Sequence, residues 1–188
     1  MPPYSEQEII QGCLRGDRVY QQHLYGCYFD LFLKICARYA KCMEDAEQLL
    51  NDSFFKIFAS ISQFNHNGSF EGWMKRIVVN VCLDYLKSRQ LRDRMQTNSI
   101  GDEQIFSQKM ISAEAIQNLH FKELLKTIQT LPTMSKTVFN LYVFEGFSHK
   151  NIAQMLDISE STSSWHLHNA RHLLQKKLIA TMPEKKVK

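Results

Sequence analysis

Apolar positions recur at steps of three and four along most of this chain, the period of helices with one buried face. Ser5 and Glu8 have capping-box spacing, so a first helix should begin there. "RGDR" at 15–18 breaks the pattern. A second helix is predicted from about Asp17 to Ala40, with Leu24, Tyr28, Leu31, Ile35 and Tyr39 along its stripe. A third should run from about Glu44 to Ser60 and bury Ala46, Leu49, Leu50, Phe54 and Ile57. The polar stretch "SQFNHNGS" at 62–69 then turns the chain with Asn and Gly.

The next stretch, "SFEGWMKRIVVNVCLDYLKSR" at 69–89, has too many apolar residues for a single stripe. Phe70, Trp73, Met74, Ile77, Val78, Val81 and Tyr85 share one broad face, and Val79, Cys82 and Leu86 lie nearly opposite. Between them run Arg76, Asn80, Leu83 and Lys87. A helix so apolar should be largely buried, which makes the polar seam conspicuous. Asn80 has two readings: an amide shown to a partner, or a buried amide satisfied inside the fold. Trp73 belongs to the core by its helical phase.

From about Met95 to Gln117 the texture becomes polar, without a firm period, and Ile105, Phe106, Met110 and Ile111 suggest a linker that docks in passing. Helical patterns return near Leu119: "LHFKELLKTIQTL" ends at Pro132, and "SKTVFNLYVFEG" ends at Gly146, a fitting C-cap. "SHKNIAQMLDIS" and "ESTSSWHLHNARHLLQKKL" follow. The expected fold is all-α: a helical domain over 1–94, a linker over 95–118, a second helical domain over 119–182 and a basic tail over 183–188.

The last two helices have helix-turn-helix spacing. Ser148 caps the first, "DIS" turns the chain, and Ile152, Ala153, Leu156, Ile158, Leu167, Ala170 and Leu174 form the shared core. Such a unit sets the start of its second helix in a DNA major groove. Ser161, Thr162, Ser164, Trp165, His168, Asn169 and His172 would face that groove, with Arg171 near the backbone. Hydroxyl, amide and imidazole groups bond phosphates or base edges. A hairpin packed for structure alone is the competing reading.

Composition narrows the class. With 44% hydrophobic and 22% charged residues, the chain of 188 can build packed cores. A net charge of +4 suits nucleic acid without demanding it. No apolar run is long enough for a membrane span, and "MPPYSEQEII" lacks a signal-peptide pattern, so a cytoplasmic location is expected. Five cysteines with no C-x-x-C read as reduced thiols, Cys36 and Cys82 among apolar neighbours. His166, His168 and His172 are too few for a metal site without ligands from elsewhere. No phosphate loop, nucleophile motif or supported carboxylate pair occurs. No enzyme activity, cofactor or metal is expected.

"LPTMSKTVFNLYVFEGFSHKNIAQMLDISESTSSWHLHNARHLL" resembles region 4 of extracytoplasmic-function (ECF) sigma factors, although output domains of two-component regulators look alike. The first half separates the two. "GDRVYQQHLYGCYFDLFLKICARYAKCMEDAEQLLNDSFFKIF" is similar to the opening of their region 2, and "FEGWMKRIVVNVCLDYLKSR" to their promoter-melting helix. The resemblance implies a dissociable subunit that gives core RNA polymerase its promoter specificity. Region 2 would bind the clamp helices through Asp45, Gln48, Asn51 and Asp52. It would read the melted −10 element with Asn80, hold phosphates with Arg76 and Lys87, and continue the basic side through Arg89, Arg92 and Arg94. Phe64, Asn65, His66 and Asn67 would line a pocket for a flipped base. Region 4 would read the −35 duplex and meet the polymerase flap, and an anti-sigma factor is the further partner implied.

Departures from the family sharpen the second helix of the motif. Members often read G-T-V-K-S-R-L-H-R-A-R where this chain has "STSSWHLHNAR". Ser163 replaces an apolar core residue, Ser164 a common DNA contact, and bulky Trp165 a small residue. Two other classes stay open: a non-sigma helix-turn-helix regulator, and a protein-only adaptor with a sigma-like fold.

Overall fold

The computed structural model describes residues 4–95 and 125–181. The chain separates into two compact units, Met1–Ser112 and Ala113–Lys188. All regular structure among the described residues is helical, as the apolar periodicity requires. The expected linker beyond Met95, with Ile105, Phe106, Met110 and Ile111, lies outside the described residues, as do the start of the helix predicted at 119 and the tail.

The first unit is built from α1 (Glu6–Leu14), α2 (Arg18–Tyr39), α3 (Met43–Ser60), a 3₁₀ turn at Ile61–Gln63 and α4 (Phe70–Met95). Three of the four helix starts carry a side-chain cap, while α3 begins after Cys42 without one. Ser5 completes the capping box: its N–H donates to Glu8 Oε2 at 2.7 Å, and its Oγ accepts from the Glu8 N–H at 3.3 Å. The Ser5 backbone bond holds the Glu8 carboxyl below its usual pKa. Asp17 Oδ1 accepts from the Val19 N–H at 2.9 Å and opens α2. Ser69 Oγ accepts from the Gly72 N–H at 3.1 Å and opens α4. Each such cap is worth about 1 kcal/mol.

Packing is densest around the C-terminal half of α2. Phe32, Leu33, Ile35, Cys36, Ala37 and Tyr39 are all buried, so this segment is enclosed on every side rather than along the single predicted stripe. Leu31, assigned to that stripe, is only half-buried. The core closes with Leu50, Ile57, Phe70, Met74, Val78 and Cys82. Gly12 permits the entry of Tyr20, since a Cβ there would collide with the base of that ring. Cys36 and Cys82 are buried and reduced, and burial followed by the nearby Asp17 charge pushes the Cys13 thiol up to about 11.

The second unit opens with helical residues 125–129 and continues through α5 (Thr133–Phe139), α6 (His149–Leu156) and α7 (Glu160–Thr181). Beyond α5 the chain widens into a π-helical segment, Asn140–Phe144, a departure from the plain helix expected up to Gly146. Gly146, at φ +73°, ends it. Ser148 caps α6, accepting from the Asn151 N–H at 3.2 Å. Ser159 Oγ accepts from the Thr162 N–H at 3.0 Å and starts α7. Between them Asp157 takes a left-handed conformation, φ 54°. Ile152, Ala153, Leu167, Ala170 and Leu174 are buried as predicted, while Leu156 and Ile158 are half-buried.

Candidate nucleic-acid and polymerase interfaces

Three exposed surfaces gather the residues singled out from the sequence. The first is on α4. Arg76, Asn80 and Lys87 are exposed, whereas Leu83, the apolar member of the seam, is turned into the core. Exposure of Asn80 excludes the buried-amide reading. Arg76 and Lys87 make no ion pair among the described residues. The neighbouring Lys75 is committed to Glu71 at 2.6 Å, and Asp84 to Lys56 on α3 at 3.4 Å. The seam is therefore a short cation–amide–cation row over a fully apolar underside. Arg89 is half-buried and Arg92 exposed, while the side chain of Arg94 lies outside the described residues.

The loop before α4 stands on an aromatic floor. Phe64 was expected to line an open pocket, but it is only 9% exposed, its ring 5.1 Å from Phe70, 5.5 Å from Trp73 and 4.6 Å from His66. It anchors the loop. Three adjacent aromatic rings shed more water together than any of them would alone. Trp73 is half-buried and stacks on Phe70 at 5.7 Å, so it belongs to the same cluster. Asn65, His66 and Asn67 stay exposed above it. The Asn67 N–H donates to Asn65 Oδ1 at 3.1 Å, and His66 is held at φ +60°, a conformation costing about 1 kcal/mol or more outside glycine.

The second surface is the outward side of α3. Gln48, Asn51 and Asp52 are exposed; Gln48 Nε2 donates to Asp52 Oδ1 at 2.9 Å, and Tyr25 Oη to Asn51 Oδ1 at 3.4 Å. Asp45, expected with them, is drawn inward instead and accepts from Tyr85 Oη at 2.7 Å. Burial and this bond push the Tyr85 phenol up to about 12. Sequence reasoning missed Phe55, which is 76% exposed one turn beyond Asn51 and Asp52. The signal was the doublet Phe54–Phe55: neighbours on a helix point about 100° apart, so only one could enter the core.

The third surface is the start of α7. Ser161, Ser164, His168, Arg171 and His172 are exposed, Trp165 is 61% exposed, and Thr162 is half-buried near the Ser159 cap. Asn169 was expected on this side but turns its amide inward, donating to Ser135 Oγ on α5 at 3.2 Å. The same hydroxyl lies 3.0 Å from His166 Nδ1, and burial lowers the His166 pKa. Arg171 sits over the Tyr142 ring, 5.8 Å from its centroid. Ser163 does occupy a core position, and its hydroxyl meets His149 Nδ1 at 2.9 Å, tying α6 to α7. Among the described residues no three His, Cys, Asp or Glu side chains come together as a metal site would require, and no helix is long and apolar enough to cross a membrane.

Comparison with known proteins fits both units. Residues 24–92 match Sigma-70 region 2, and residues 121–174 match Sigma-70, region 4. The chain belongs to the ECF sigma factors. Its relatives include the RNA polymerase sigma-H factor of Pseudomonas aeruginosa, 23% identical with 96% of this chain and 97% of that protein covered. Another is ECF sigma factor SigW of Bacillus subtilis, 25% identical over 90% of this chain and 94% of the relative. The fold resembles CnrH in complex with the cytosolic domain of CnrY, with TM-score 0.54, 18% identity and coverage of 93% and 97% of the two chains. It also resembles the sigma factor RpoE in complex with the anti-sigma factor NepR from Bartonella quintana, with TM-score 0.57, 20% identity and coverage of 80% and 91%. A sigma factor is a transcription initiation subunit and not an enzyme. In this ECF sigma factor the region 2 match precedes the region 4 match along one chain.

Proposed function

We propose that this sigma factor docks on core RNA polymerase through the α3 surface, captures melted −10 DNA with α4 and the 65–67 loop, and reads −35 duplex with α7. The observation that carries the reading is the exposed row Arg76, Asn80 and Lys87 on a helix whose other side is buried. An amide both donates to and accepts from a base edge, and unpairing frees the Watson–Crick edge for it. Flanking cations hold the phosphates of a single strand. Phe55, one turn along α3 from Asn51 and Asp52, adds an exposed apolar group to this polar surface, the mixture found at protein interfaces. The neighbouring RpoE structure is bound to the anti-sigma factor NepR, which supports an anti-sigma factor as a partner of this chain.

Run-off transcription with core polymerase and genomic fragments tests the whole reading. Initiation from a defined subset of fragments is the expected result. DNA binding by the chain without polymerase, and with no gain in promoter opening, would favour a helix-turn-helix regulator. Asp52→Arg should weaken core binding about tenfold or more, because a charge of the wrong sign then sits beside Phe55. Competition against unaltered chain for core polymerase measures it.

A further inference from the structure

Trp165 is the most exposed large apolar side chain among the described residues of the second unit. A lone exposed aromatic is ordinarily of no consequence, but this one is braced. Its ring meets the His166 ring edge-on at 4.9 Å. His166 is in turn fixed by Ser135, a buried hydroxyl of α5 that also accepts the Asn169 amide. The indole is thereby supported from inside while its outer surface stays bare. Around the helix, Ser161, Ser164, His168 and His172 share its side, and no carboxylate lies among them. Glu160 stands at the helix start. The polar neighbours can meet phosphates or base edges, but the indole face needs an apolar partner.

In a major groove the apolar group on offer is the thymine 5-methyl. We propose that Trp165 is a specificity-determining residue of the −35 contact, packing its braced ring against a thymine methyl. The proposal rests on α7 being the duplex-reading helix. The indole N–H adds a donor for an adjacent acceptor on the same groove edge. The bulk that departs from the family pattern thus becomes the source of a sequence preference rather than an obstacle to docking.

The test uses holoenzyme, core polymerase with the full chain, to select upstream duplexes from a random library. Each thymine of the selected −35 element is then replaced by deoxyuridine, which removes only the methyl group. Binding should fall about fourfold at one or two positions, the factor equivalent to ~0.8 kcal/mol for one buried methyl-sized group. Trp165→Ala should lose that sensitivity at the same positions, and Trp165→Phe should retain part of it. Because the ring is exposed, thermal melting of the variants should match that of the unaltered chain. Equal deoxyuridine penalties in unaltered and Trp165→Ala protein, or none in either, overturn the methyl contact while leaving α7 as the duplex reader. Holoenzyme that selects no upstream duplex removes that reading and the contact with it.

Discussion

The exposed sides of α4 and α7 each belong to a helix whose opposite side is buried, yet their chemistry differs. On α4 two unpaired cations flank an amide beside a strained loop. On α7 hydroxyls, imidazoles and a bare indole dominate, and Arg171 rests over Tyr142. Charge grips a flexible strand at any spacing its phosphates adopt, whereas apolar contact needs a partner of fixed shape. The two surfaces therefore suit the two states of promoter DNA proposed for them, an unpaired strand and an intact groove.

The sharpest way to break this comparison is Asn80→Ala. Loss of both bonding functions to a base should reduce open-complex formation about tenfold or more, from ~1–3 kcal/mol per good contact. Stability should stay within ~0.5 kcal/mol, because the side chain is exposed. Permanganate footprinting of the melted strand reads the effect. Equal opening by both proteins would end the base-contact role.

Salt dependence separates charge from shape. Removing Arg76 or Lys87 should lower the slope of log affinity against log salt by about 0.7 each on single-stranded −10 DNA. Trp165→Ala should leave the slope of duplex binding unchanged. A slope change with Trp165→Ala and none with Lys87→Ala would reverse the assignment of the two surfaces.

The units should also fail at opposite ends of the pH scale. Burial sets the His166 pKa below its usual 6.5, so as pH falls the unfolded chain takes up the proton first and the second unit loses stability. Tyr85 is pushed from 10 to about 12, so it is protonated in both states below pH 10, and the first unit loses stability as pH rises through that window. Hydrogen exchange followed unit by unit checks both. His166→Gln should flatten the acid limb, and Tyr85→Phe the alkaline one.

The smallest effect contrasts two residues with the same unusual backbone. Asp157→Gly should stabilise the second unit by up to ~1 kcal/mol with transcription unchanged, since only the turn geometry is at stake. His66→Gly relieves a similar φ but removes the ring lying 4.6 Å from Phe64, so promoter opening should fall even if the melting temperature rises. Calorimetry beside transcription assays distinguishes the two.

The helices, the Ser5 and Ser148 caps and the apolar sides of α3, α4 and α7 were legible in the sequence, because period and capping bonds span only a few residues. Ser163 could be placed in the core only from the resemblance to the family's motif, and its partner His149 could not be placed at all. The polar row on α4 was also legible, except for Leu83, whose inward turn depends on neighbouring helices. Phe64 was misread because a loop aromatic carries no period to say which way it faces. The π-helical segment after α5 gave no pattern distinct from an ordinary helix.

By itself, then, the sequence determined which segments coil and which of their sides shed water, since those are properties of neighbours within one or two turns. Tertiary structure alone decided which polar groups were left for a partner. Asp45 is taken by Tyr85 and Asn169 by Ser135, positions 40 and 34 residues apart, while Asn80, Phe55 and Trp165 stay exposed. A side chain's freedom depends on what the rest of the fold brings within hydrogen-bonding or packing distance, and no local period encodes that.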